Sequence, residues 1–73
     1  MKVKLYETVE IIEDIQTDSL PSVLVRKGTL GNVVDILTSE NGDELYLVEL
    51  DNDLYPDGVV ERFKLSQIKK WTK

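Results

Sequence analysis

Cysteine and histidine are both missing from this 73-residue sequence. With no thiol and no imidazole, disulfide staples, thiolate or imidazole metal ligands and a cysteine or histidine catalytic group are all excluded. Aromatic side chains are scarce as well, one Trp, one Phe and three Tyr, and there is a single Met. Long hydrophobic runs are lacking too. The start, Met1-Lys2-Val3-Lys4-Leu5-Tyr6, gives way to Glu7, Glu10, Glu13 and Asp14 before it reaches signal-peptide or membrane-span length. No membrane is expected as a partner, and the cytoplasm is the expected compartment. A chain this short buries only about 60% of the surface its unfolded form exposes, so a single compact domain, residues 1–73, is expected.

Cations are absent from residues 28–61, which hold nine Asp or Glu, whereas residues 62–73 carry Arg62, Lys64, Lys69, Lys70 and Lys73 and no acid. The segments 1–27, 28–61 and 62–73 thus sum to −1, −9 and +5 within a net charge of −5. An acidic middle repels a phosphate backbone, so a nucleic acid would find a cationic edge only at the C-terminal end.

What is present is alternation. Apolar residues recur mainly with period two, the mark of half-buried strands. Leu5, Val9 and Ile11 share one parity in a strand predicted over 5–13. A longer strand is predicted over 29–38, then Asn41-Gly42, a strong hairpin signal for a two-residue type I′ turn. A third strand follows over 44–50. Asp51-Asn52-Asp53 and Pro56-Asp57-Gly58 read as turns before a fourth strand over 59–65. A single helical turn at 66–68 precedes a short fifth strand over 69–71. The loop 14–27 carries Leu20, Pro21, Val23, Leu24 and Val25, more apolar material than a solvated connection needs. It is expected either to plug an end of the fold or to cover a partner. Short antiparallel strands with one long early loop favour a small all-β barrel over a sandwich.

The segment Arg26-Lys27-Gly28-Thr29-Leu30-Gly31-Asn32-Val33-Val34-Asp35-Ile36 resembles the Lys-Gly-x-x-Gly-x-Val-Val stretch of SH3-like and KOW-type barrels. In the same order, Leu5-Tyr6-Glu7-Thr8-Val9, Tyr46-Leu47-Val48-Glu49-Leu50 and Leu65-Ser66-Gln67-Ile68 are similar to a family of short bacterial proteins catalogued only as a domain of unknown function. The resemblance spans nearly the whole chain and implies a five-stranded SH3-like barrel, with no assigned activity. Gly31 suits a place where strands approach too closely for a Cβ, and Gly28 suits a turn entering the strand. Thr29 stands where the family usually has an acid, the 51–58 connection is longer, and Leu20 to Val25 is free of charge.

No catalytic residue, metal site or cofactor is expected. Asp51, Asp53 and Asp57 share one loop, but Tyr55 and Pro56 stand where an EF-hand needs ligands. Glu10 with Glu13, and Asp43 with Glu44, are carboxylate pairs with no sign of a substrate pocket beside them. Phe63, in phase with Leu65, reads as core. If Leu30, Val34, Ile36, Tyr46, Val48 and Leu50 point inward, Val33, Leu37, Leu45 and Leu47 point outward among Asp35 and Glu49. Either the loop 14–27 lies across this outward patch, or the patch docks a partner, and in the second case Val33, Asp35, Leu45, Leu47 and Glu49 are the expected partner-binding residues. The expectation is a non-enzymatic protein-binding module, such as a small inhibitor, immunity-type or accessory protein, that docks a protein partner or a second copy. The alternative is a KOW-type nucleic-acid or ribosome-associated module using the Lys-rich end and Trp71.

Overall fold

The structure is a computed structural model that describes residues 3–17, 20–51, 55 and 59–72. Among the described residues seven strands form, in chain order: β1 Thr8–Ile11, β2 Ile15–Gln16, β3 Leu24–Val25, β4 Leu30–Thr38, β5 Glu44–Leu50, β6 Val60–Lys64 and β7 Ile68–Lys70. A 3-10 turn, Leu65–Gln67, lies between β6 and β7. Five strands make one antiparallel sheet in the order β6-β5-β4-β1-β7, and β2 and β3 form a separate two-stranded ribbon. The fold is all-β. The sheet is not closed into a barrel: β6 and β7, three residues apart in sequence, stand at its two edges. No helix among the described residues is long and apolar enough to cross a membrane.

Alternation decides which face is covered. On β5, Tyr46, Val48 and Leu50 are buried, as their parity predicts, and on β6 Phe63 joins them at 1% exposure. Val9 and Ile11 of β1 and Ile68 of β7 complete this side of the sheet. Removing a side chain the size of Phe63 from water contributes roughly 1.5–3 kcal/mol. The first strand is shorter than expected, and Leu5 lies outside it, exposed.

On β4 the expected parity fails halfway. Val33 pairs with Val48, but the next pair is Asp35 with Leu47, so Val34 is an extra, unpaired residue in a β-bulge. Before the bulge Gly31 and Val33 face the core; after it the alternation resumes one step later, with Ile36 packed against the core. Val33 is therefore fully buried and Val34 is exposed, the reverse of the sequence expectation. A strict period of two cannot survive an inserted residue, because each one-residue slip exchanges the faces.

The tip of the β4–β5 hairpin also differs in detail. Ser39 N–H donates to Asp43 O at 2.8 Å and Gly42 N–H to Ser39 O at 2.9 Å, which closes a loop of three residues, Glu40-Asn41-Gly42. Gly42 takes a φ of +91° while Asn41 keeps a negative one, so the geometry is that of a turn ending in a left-handed glycine, not a type I′ turn. At Gly31 the expected close approach is present: a Cβ there would lie 2.5 Å from Val48 Cγ1 and 2.7 Å from the Glu49 carbonyl oxygen.

Within residues 14–27, the expected loop is a tethered ribbon. Thr17 N–H donates to Val23 O and Val23 N–H donates to Thr17 Oγ1, both at 2.9 Å, while Ser22 Oγ donates to Thr17 O at 2.6 Å. These bonds aim Val25 into the core, where it is fully buried, and bring Ile15 and Val23 against it. Tyr55 supports the far end, its hydroxyl donating to Leu24 O and accepting from Arg26 N–H, each at 3.3 Å.

Candidate binding face and pocket

The face of the sheet turned away from the core is set by strand pairing. Across β4, β5 and β6, one row reads Asp35, Leu47, Arg62; beside it stand Leu37, Leu45, Lys64; on the other side stand Asn32, Glu49, Val60. Four of the five expected partner-binding residues, Asp35, Leu45, Leu47 and Glu49, thus share one face. Val33 does not belong to it, because the bulge turns that side chain into the core.

Leu37 is 43% exposed, and Leu45 and Leu47 are half-buried, so they form a leucine seam in partial contact with water. Acids lie on the β4 flank and at the Glu49 end. On the β6 flank stand Arg62 and Lys64, the first two cations of the C-terminal basic stretch. The register sets Arg62 beside Leu47 and Lys64 beside Leu45, and long aliphatic stems of this kind shield apolar neighbours from water. Reading this flank from sequence required the β5–β6 register, which depends on how the 51–58 connection closes.

The ribbon meets one end of this face. Between it and the sheet lies a pocket of about 300 Å³, lined by Ile15, Gln16 and Thr17 on one side and by Leu45, Arg62, Lys64 and Gln67 on the other. Gln67 is held in place through its Oε1, which accepts the Lys64 N–H at 2.9 Å as the chain enters the 3-10 turn. Leu47 is not among the lining residues.

The Lys-rich end is engaged within the fold. Lys70 Nζ lies 2.8 Å from Glu7 Oε2, and Lys69 Nζ lies 3.6 Å from Glu10 Oε1. Lys4 N–H donates to the other Glu7 oxygen at 2.7 Å. The hydrogen bond from Lys70, followed by the one from Lys4, holds the Glu7 carboxyl below its ordinary value. The Trp71 backbone N–H donates to Thr8 O at 3.0 Å, which continues the pairing of β7 with β1, and the residue as a whole is 37% exposed. Of the carboxylate pairs, Glu10 is thus in an ion pair, and Glu44 accepts a hydrogen bond from Tyr46 Oη at 3.3 Å. Of the aspartates in the 51–58 connection, Asp51 is exposed, while Asp53 and Asp57 lie outside the described residues. No family model, curated protein or solved structure matches this chain.

Proposed function

We propose that this chain is a non-enzymatic protein-binding module, a small inhibitor, immunity-type or accessory protein, that docks a protein partner on the outer face of its sheet. The supporting observation is the leucine seam: Leu37, Leu45 and Leu47 lie side by side on a face flanked by Asp35 and Glu49. Such a seam returns free energy when covered, at roughly 25 cal/mol per Å². The acids beside it favour a partner with an apolar centre and a basic rim over the β4 flank. The reading sets this action in the cytoplasm. The strand order and the 3-10 turn before the last strand suit an SH3-like chain path, and with it kinship to the short bacterial family that the sequence resembles.

Affinity capture from cells that express the protein, run in parallel with wild type and Leu47→Lys, tests this reading. The wild type should recover a partner that the variant loses. Identical recovery by both would remove the face from consideration. The nucleic-acid alternative draws no support from Lys69 and Lys70, since both are paired with glutamates. An RNA affinity that falls steeply with rising salt would restore it.

A further inference from the structure

We propose that a second copy of this chain occupies the outer sheet face in the free protein, the two leucine seams meeting about a twofold axis that runs along β5. The second copy deepens the reading of that face as a docking surface and rests on it.

The face describes its own partner. Docking there calls for an apolar centre with a basic rim laid over the β4 flank, where Asp35 stands. Leu45 and Leu47 supply such a centre, and Lys64 on β6 supplies a cation at its rim. When two like surfaces meet across a twofold axis parallel to the strands, β5 lies over β5, and β4 of each copy lies over β6 of the other. Leu45 and Leu47 then meet their own copies. Asp35 comes to the flank that carries Lys64, and the same contact repeats on the other side of the axis. Among the described residues, neither Asp35 nor Lys64 has an ion-pair partner within the chain. Arg62 shares the β6 flank but is engaged within its own chain, so Lys64 is the cation on which the match depends. Asp35 Oδ1 accepts the Ile36 N–H at 2.8 Å, which fixes the carboxyl and leaves Oδ2 for a lysine.

Geometry and area set the strength. Packed sheets stand about 10 Å apart and cross at about 30°, a gap that two leucine layers fill and a lysine stem spans. The crossing also parts each Glu49 from its symmetry mate at the end of the seam. Of the three leucines, only Leu45 lines the gap beside the β2–β3 ribbon, so the described part of the ribbon leaves Leu37 and Leu47 for another occupant. Three strands about 4.8 Å apart, with three rows of outward side chains about 6.7 Å apart, cover roughly 280 Å² in plan. Even with side-chain relief, this falls short of the roughly 800 Å² per partner of a stable interface, so the Kd should be about 0.1–1 mM. A pair this weak yields to a better-fitting partner, so self-association shields the leucines without closing the face to docking.

The test is a dilution series of the isotope-labelled full chain from about 2 mM to about 20 μM, followed by amide shifts and translational diffusion. The amides of Asp35, Leu37, Leu45 and Leu47 should move along one saturating curve while diffusion slows toward that of a dimer. Asp35→Lys should weaken self-association at least about tenfold by setting lysine against lysine, and Lys64→Glu should weaken it by setting acid against acid. Mixing the two variants, one of them labelled, should restore association between them, because each reversed charge then meets its opposite. No shifts on dilution, shifts confined to other residues, or a mixture that associates no better than either variant alone would overturn the assignment. The dilution arm uses the wild-type chain and depends on no variant that folds. A wild type that stays monomeric while Leu47→Lys abolishes capture of another protein would remove the second copy and leave docking in place. A dimer that forms as described, with capture identical for wild type and Leu47→Lys, would keep the second copy and remove the foreign partner.

Discussion

Val33 stands opposite Val48 across the β4–β5 ladder, and both side chains are fully buried. Its neighbour Val34 has no partner in that ladder and is exposed. Two adjacent valines of identical chemistry should therefore respond differently to substitution. Val33→Ala removes two methyl groups from the core and should cost about 2 kcal/mol, whereas Val34→Thr should stay within about 0.5 kcal/mol. Equilibrium urea unfolding of both variants measures the difference, and equal losses would contradict the bulge.

Gly31→Ala should be more damaging than its single added methyl suggests. The new Cβ would meet not only the Val48 side chain but the backbone oxygen of Glu49, which cannot rotate away. Relief requires β4 and β5 to move apart, at a cost of about 1–3 kcal/mol. Thermal unfolding reports it, and an unchanged midpoint would show that the strands are less closely apposed.

Glu7 gives the fold a dependence on acidity. Its folded carboxyl is held below the ordinary value of 4.5, first by the Lys70 hydrogen bond and then by the Lys4 N–H. A depressed carboxylate contributes stability that is fully present above the unfolded value and is lost as pH falls through the folded one. The stability gap between wild type and Glu7→Gln should thus be constant from neutral pH down to that ordinary value, then close in more acid solution. Denaturant unfolding at a series of pH values follows it; a gap that persists in strong acid would remove Glu7 as the source.

Thr17 should matter locally. Thr17→Val keeps the shape but removes the acceptor of the Val23 N–H, at a cost of about 1 kcal/mol. Hydrogen exchange at the Val23 amide should quicken while the central strands keep their protection. Unchanged exchange at Val23 would mean that the ribbon is held by other contacts.

The central hairpin was the most legible part of the chain. Residues 44–50 alternate without interruption, and the observed β5 has the bounds and the buried set that alternation predicts. The same logic puts Phe63 in the core, and a glycine inside a predicted strand puts Gly31 at a close approach of two backbones. The bulge was not legible, because Val33 and Val34 are equally fit for the interior and only pairing with Val48 and Leu47 separates them. The ribbon escaped for another reason: strands of two residues, Ile15–Gln16 and Leu24–Val25, are too short to display a period, although the apolar content around them announced that something there would be buried. The pocket depended on the ribbon and on the β5–β6 register, so its parts, Gln16 on the one side and Lys64 and Gln67 on the other, lie too far apart in sequence to be read as a set.

Val34 also makes the sheet forgiving at one point. Were that residue deleted, Val33 would be followed directly by Asp35, and the partners opposite them, Val48 and Leu47, already follow one another on β5. Shortening the chain there would leave every other side chain in phase, whereas loss of Ile36 would displace the strand beyond it by a step. Evolution or an engineer thus has one spare link in β4, and removing it would straighten the strand without rewriting its neighbours.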